Sequence, residues 1–246
     1  ITNLNAALTY VGINGGNVTG NNVAKKVKVR NLGTTAITSL NITTNYNGVA
    51  ENKSFSALNI ASLAEVELAM DNTITLAAGT NSLSATVSVV NGSATPDDNP
   101  ADDMKSVGLT PLTPALGKMV VSEEGTGTWC QWCPRGAVFM DRMNAAYSNY
   151  WVGIAVHNGD PMAFPEYDTP IGAYTNGYPF ALVDRNPKID PSEMEPQILN
   201  RLMVAPTALI SSSSIWNPST RELKVYVSAD FQSAATNNYK LACALT

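Results

Sequence analysis

TWCQWCPRG, residues 128–136, decides how the centre of this chain is read. It holds two of the three cysteines, Cys130 and Cys133, each preceded by a tryptophan, with Pro134 behind the second. Proline suits the first turn of a helix, where its missing N–H is not needed. The stretch CPRGAVFMDRMNAAY (133–147) therefore predicts a helix opening at the pair. Val138, Met140 or Met143, and Tyr147 would supply its apolar face. A cysteine over the unpaired N–H groups of a helix start is stabilised as thiolate, with a pKa lowered from about 8.5 to between roughly 3.5 and 7.5. Cys130 is then the attacking thiolate and Cys133, one turn along, the resolving thiol.

Around the pair, KMVVSEE (118–124), WVGIAVH (151–157) and GYPFALVDR (177–185) predict short buried strands. PSEMEPQILNRLM (191–203) predicts a second helix with Glu193 and Glu195 near its start. Cys-x-x-Cys beside a strand–helix–strand pattern is a thioredoxin-like signal. The unit resembles the thioredoxin-like domain of the Omp28-related outer membrane proteins of Bacteroidetes-type bacteria. The residues that carry the resemblance are EEGTGTWCQWCPRG (123–136), GIAVHNGDPM (153–162) and GYPFALVDR (177–185), over about residues 117–203. It departs from that pattern at Gly125, where a large apolar residue is expected, with looser packing behind the cysteines as the consequence. Within the thioredoxin superfamily, the proline after the second cysteine is also atypical.

The resemblance implies further roles. Glu124 takes the place of a buried acid that helps deprotonate the resolving cysteine, the alternative being that Glu123 and Glu124 alternate between solvent and a structural pair. Pro179 takes the place of a cis-proline facing the pair, which frees the Tyr178 backbone to bind an extended substrate; otherwise it is an ordinary trans proline. From the residues alone, Trp129 is expected beside Cys130 as an apolar platform and Trp132 over Cys133, unless both are core. His157, the only histidine, stands at a strand's carboxyl end, where function gathers in parallel sheets. It is an auxiliary orienting or proton-transfer group, or a hydrogen-bonded structural residue.

Outside this unit the grammar is β. In KKVKVRN (25–31) Val27 and Val29 alternate with Lys26, Lys28 and Arg30. Leu40, Ile42, Thr44 and Tyr46 share a side, as do Val66, Leu68 and Met70, and Leu83, Ala85, Val87 and Val89. Turns at Asn31-Leu32-Gly33, Asn47-Gly48, Gly79-Thr80-Asn81 and Asn91-Gly92 separate these strands. The expectation is an immunoglobulin-like, adhesion-type β-sandwich over 1–111 and a Pro-rich linker over 112–117. The thioredoxin-like α/β domain then spans 118–203, and a partial all-β module, read as truncated, spans 204–246. In that module Asn217-Pro218-Ser219 marks a hairpin, YKLACALT (239–246) reads as an unfinished strand, and Cys243 as a buried small hydrophobe. TPDDNPADD (95–103) is either a calcium loop or a solvated turn whose acids satisfy backbone.

Composition narrows the classes. Charged residues are 14% of the chain, against about 25% in ordinary soluble domains. The net charge of −5, with no basic stripe, argues against nucleic acid as partner. No apolar run reaches the roughly 18–20 residues of a membrane span. Ile1 reads as the start of a processed chain, which with the resemblance implies an extracytoplasmic place in the cell envelope, periplasmic or outer-membrane-associated. The expected function is thiol–disulfide exchange with protein thiols and an electron-exchange partner, needing no cofactor beyond the Cys130–Cys133 disulfide. No metal is expected there, because Cys130, Cys133, His157 and Cys243 lack zinc-ligand spacing. A thiol peroxidase built on Thr126 and Arg135 fits the two-residue spacing less well. The other reading is a surface interaction or adhesion scaffold in which this fold is structural.

Overall fold

The structure, a computed structural model, describes residues 2–93, 97–235 and 238–245. Ile1, Thr95, Pro96 and Thr246, which figured in the sequence reading, lie outside them. The chain divides into two compact units, Ile1–Thr113 and Pro114–Thr246, with the boundary inside the Pro-rich stretch.

The first unit is a two-sheet antiparallel sandwich. One sheet orders β1 (Ala6–Asn14), β2 (Asn22–Asn31) and β5 (Glu65–Thr75); the other orders β4 (Val49–Phe55), β3 (Leu40–Tyr46), β6 (Asn81–Val90) and β7 (Met104–Leu109). Period-two patterning places one side of each strand inward. Leu40, Ile42, Thr44 and Tyr46 are buried while the residues between them are half-exposed. Val27 and Val29 are fully buried, each contributing about 1.5–3 kcal/mol relative to exposure. Asn47-Gly48 and Asn91-Gly92 take positive φ at both positions, as tight two-residue turns require. In β6 the expected phase slips. Asn41 pairs with Val89 but Ile42 pairs with Val87, so Ser88 is bulged out and Val90, not Val89, is buried. One extra residue in a ladder exchanges the two faces.

The second unit is built on a three-stranded sheet. Its centre is β8 (Val120–Thr126), parallel to β9 (Trp151–His157) on one side and antiparallel to β10 (Phe180–Val183) on the other. The parallel pair needs a crossover, supplied by α1 (Pro134–Tyr147). α2 (Pro165–Gly172), with Pro170 inside it, follows β9. A 3-10 turn capped by Asp190 leads into α3 (Met194–Leu202), which buries Met194, Ile198 and Leu202 along one stripe. The α1 face differs from expectation: Gly136, Met143 and Tyr147 are buried, while Val138 is 56% exposed.

The expected central α/β thioredoxin-like domain is corrected. Among the described residues the protein is predominantly β, with 44% strand and 14% helix in three helices, and this sheet stops at three strands. The cause is local. After Val183 the chain turns through positive φ at Asp184 and Arg185, and Pro187 cannot donate to a ladder. Only a single bridge, Ala181–Ile189, forms where a further strand would lie.

The C-terminal segment is also simpler than expected. β11 (Ala208–Asn217) and β12 (Glu222–Phe231) make a two-stranded hairpin grouped with the second unit. Residues 238–245 form no strand, and Cys243 is exposed, not buried. No helix among the described residues is long and apolar enough to cross a membrane.

Candidate active site around the Cys130–Cys133 disulfide

Cys130 and Cys133 form a disulfide with Cα atoms 5.4 Å apart. Helix α1 starts at Pro134, so Cys133 is its N-cap and Cys130 lies one turn ahead. That turn is held by Cys130 N–H to the Gly127 carbonyl (3.0 Å) and Cys133 N–H to the Cys130 carbonyl (3.3 Å). The Ala137 N–H then donates to the Cys133 carbonyl at 3.2 Å, opening the helix ladder. Both cysteines are largely covered, Cys130 at 8% and Cys133 at 4% exposure.

Beneath the helix lie the two adjacent acids of β8, which alternate in direction and differ in fate. Glu123 points away from α1. It takes a two-pronged interaction from Arg185, Nη2 to Oε1 at 2.8 Å and Nε to Oε2 at 3.0 Å, and a hydrogen bond from the Tyr167 hydroxyl. Glu124 is 2% exposed and its Oε1 has no hydrogen-bond partner. Burial pushes its carboxyl up to about 7, because desolvation disfavours the charged form. Its carboxyl reaches the first turn of α1: a Cβ built on Gly136 would stand 1.9 Å from Oε1. Only glycine allows this approach. The two acids do face opposite ways, with Glu123 as the structural partner, but the expected solvent-facing acid is absent: both are buried, at 3% and 2% exposure.

A second group of residues fixes the loop ahead of the pair. The Asp160 carboxylate accepts from the Thr128 N–H (2.7 Å) and the Met162 N–H (2.9 Å), and its Oδ2 lies 2.7 Å from His157 Nδ1. The hydrogen bond to His157, followed by those N–H groups, holds the Asp160 carboxyl well below the usual range. His157 thus contacts the cysteine loop through Asp160. Trp129 Nε1 donates to the Asn158 carbonyl at 2.6 Å.

Trp129 packs edge-on against Tyr178, and Tyr178 against Phe180, each pair with ring centroids 5.4 Å apart. The Tyr178–Pro179 bond is cis, the alternative that the resemblance implies. The aromatic row joins the loop before Cys130 to the loop before β10, and Trp129 remains 55% exposed on it. Trp132 is 66% exposed, so neither tryptophan is core. Gly125 does not loosen the packing: a Cβ there would fall 2.0 Å from the Phe180 ring, which fills the space and is 2% exposed. Arg135 is engaged with Asp190 and Ser192, away from peroxidase-like use.

The structure thus brings together Cys130 and Cys133, and joins Trp129 to Tyr178 and Pro179, with His157 one residue removed. Glu124 lies under the first turn of α1. Three contributors were not singled out from sequence. Gly136 carries no hydrophobic signature; Asp160 acts across 32 residues; Asn158 acts through its backbone. The available signals were HNGD, a turn with Gly159 at φ +59°, and the glycine one turn beyond Cys133. The three metal-ligating side chains that converge among the described residues are elsewhere, at Asp97, Asp102 and Asp103.

No protein-family model matches the chain, and no curated protein matches it. Among solved structures it is similar to the CARDB domain of the PF1109 protein of Pyrococcus furiosus, solved in complex with di-metal ions. The identity is 19% over 46% of this chain and 96% of that one, with a TM-score of 0.35. It is similar to BslA, a bacterial hydrophobin, at 16% identity over 43% of this chain and 93% of that one, with a TM-score of 0.30. A third similarity is to alpha-2-macroglobulin of Escherichia coli, at 18% identity over 49% of this chain and 18% of that one, with a TM-score of 0.30.

Proposed function

We propose that this protein exchanges thiols and disulfides through Cys130 and Cys133. The observation that carries the reading is the disulfide at the mouth of α1 above a buried, unpartnered Glu124 carboxyl. A loop of this length constrains little unfolded-chain entropy, so stapling alone is a poor account of the disulfide. In the reducing direction, Cys130 thiolate attacks one sulfur of a protein disulfide, forming a mixed disulfide and releasing the other sulfur as a thiolate that takes a proton. Cys133 gives its proton to Glu124 and attacks the Cys130 sulfur. The second substrate thiol leaves and the Cys130–Cys133 disulfide is regenerated. The substrate gains two electrons, the dithiol loses two, and a protein dithiol partner resets the pair. The oxidising direction is the reverse. Trp129 and Tyr178, with Pro179 behind them, offer the apolar surface on which an extended substrate would lie. The extracytoplasmic, cell-envelope location is proposed on the resemblance carried by residues 123–136 alone, since catalytic disulfides also turn over in the cytosol.

The interaction-scaffold reading is favoured by one observation, the low exposure of both cysteines. Titration of the free thiols in glutathione buffers separates the two. Exchange function predicts a reversible two-electron transition between about −120 and −270 mV, and a mixed disulfide that accumulates in Cys133→Ser but not in Cys130→Ser. A pair that stays oxidised below about −300 mV, or never reacts, would leave the scaffold.

A further inference from the structure

The loop before β7 converges three acids. One carboxylate oxygen each from Asp97, Asp102 and Asp103 lies within 4.8 Å of the others. Among the described residues, no lysine, arginine or histidine forms an ion pair with any of them. Asp97 is oriented by the Ala6 N–H on Oδ2 and the Asn99 N–H on Oδ1. Asp102 Oδ2 accepts from the Asn99 side chain at 2.7 Å. Asp102 Oδ1 and Asp103 Oδ1 are buried with no hydrogen-bond partner.

An independent group points the same way. Asn5 comes from the segment entering β1, far from the loop in sequence, and is 3% exposed. Its Nδ2 donates to Asp102 Oδ2 at 3.3 Å, which turns the amide toward the acids, and its Oδ1 has no partner. A carbonyl oxygen buried without a donor is left uncompensated, and a cation would satisfy it.

We propose that Asp97, Asp102, Asp103 and Asn5 Oδ1 form a calcium site that ties the entry of β1 to the loop before β7. All four donors are hard oxygens, the type calcium takes, six to eight at about 2.3–2.6 Å. Two oxygens across one such ion stand about 4.6–5.2 Å apart, so oxygens all within 4.8 Å of one another can share one. Magnesium retains most of its water and is seldom held in an all-protein cage, and zinc selects nitrogen and sulfur.

The test is equilibrium dialysis of the EDTA-treated full chain against radioactive calcium, with thermal unfolding in calcium, magnesium and EDTA. The expected result is one calcium per chain and a melting point raised by calcium more than by magnesium. In Asp103→Asn and Asp102→Asn, each checked for folding by circular dichroism, affinity should fall by about tenfold or more and the calcium shift should vanish. Two variants are used so that failure of one to fold leaves the other decisive. No retained calcium, an equal response to magnesium, or full binding in a folded variant would overturn the proposal.

Discussion

Replacing Glu124 by glutamine removes a titrating group whose burial opposes its charge. Displacement of its carboxyl from the ordinary 4.5 to about 7 corresponds to about 3 kcal/mol, at about 1.4 kcal/mol per tenfold change. The folded value lies above the unfolded one, so the unfolded chain releases this proton first. The contribution to stability is therefore complete below about pH 4.5 and is lost as pH rises through 7. The chain's four tryptophans, Trp129, Trp132, Trp151 and Trp216, all lie in the second unit. Urea unfolding followed by tryptophan fluorescence, with the disulfide kept oxidised, therefore reports the unit that holds Glu124. The expected result is a difference between wild type and Glu124→Gln that changes by about 3 kcal/mol between pH 4 and 8.5, against the wild type at high pH. Every other titrating group cancels in this difference. In the same variant, release of a glutathione mixed disulfide from Cys130 should slow on the order of a hundredfold if Glu124 is the base for Cys133. Parallel stability curves would show an ordinary carboxyl and remove Glu124 from the proposed chemistry.

Two further outcomes follow from the packing of the site. Gly136→Ala places a methyl 1.9 Å from Glu124 Oε1, and overpacking of this kind costs about 1–3 kcal/mol. Urea unfolding should show that loss, and wild-type stability would deny the close approach of helix and acid. Asp160→Asn removes the charge that accepts from Thr128 and His157. The Asp160 value is depressed on folding, so its contribution is present above pH 3.8 and lost as pH falls further. The variant should lack that acid dependence and should exchange the Thr128 amide hydrogen faster. Unchanged exchange would detach the Asp160 loop from the cysteine loop.

Much of the first unit was legible because strand alternation is local. Val27, Val29, Leu40 and Ile42 announce their own faces, and Asn-Gly turns announce the ends. The bulge at Ser88 was not legible, since it depends on how β6 registers against β3. In the second unit the cysteine pair, the α1 start and the β8, β9 and β10 segments could be read from CPRG and the apolar runs. α2 could not be, being eight residues long with an internal proline. The expected thioredoxin-like domain failed at the turn through Asp184 and Arg185, where neither residue is a glycine to signal positive φ. Val138 and Gly136 mislead in opposite directions, because an apolar count ranks side chains by hydrophobicity while a close approach selects for having none.

β8 puts two carboxyls side by side in sequence and on opposite faces in space, and the protein treats them unequally. Glu123 receives Arg185 and Tyr167. Glu124 receives no cation, leaves Oε1 bare, and is covered by a helix whose glycine lets it sit close. A destabilisation of about 3 kcal/mol is large against a net stability of about 5–15 kcal/mol. Leucine or methionine at the same position would avoid it. Buried acids with strongly raised pKa gather at functional sites, because a proton exchangeable near neutral pH is what general acid–base chemistry needs. The one disulfide of the protein opens the helix above this acid. A disulfide over an unneutralised carboxyl is the arrangement that the proposed exchange chemistry would use.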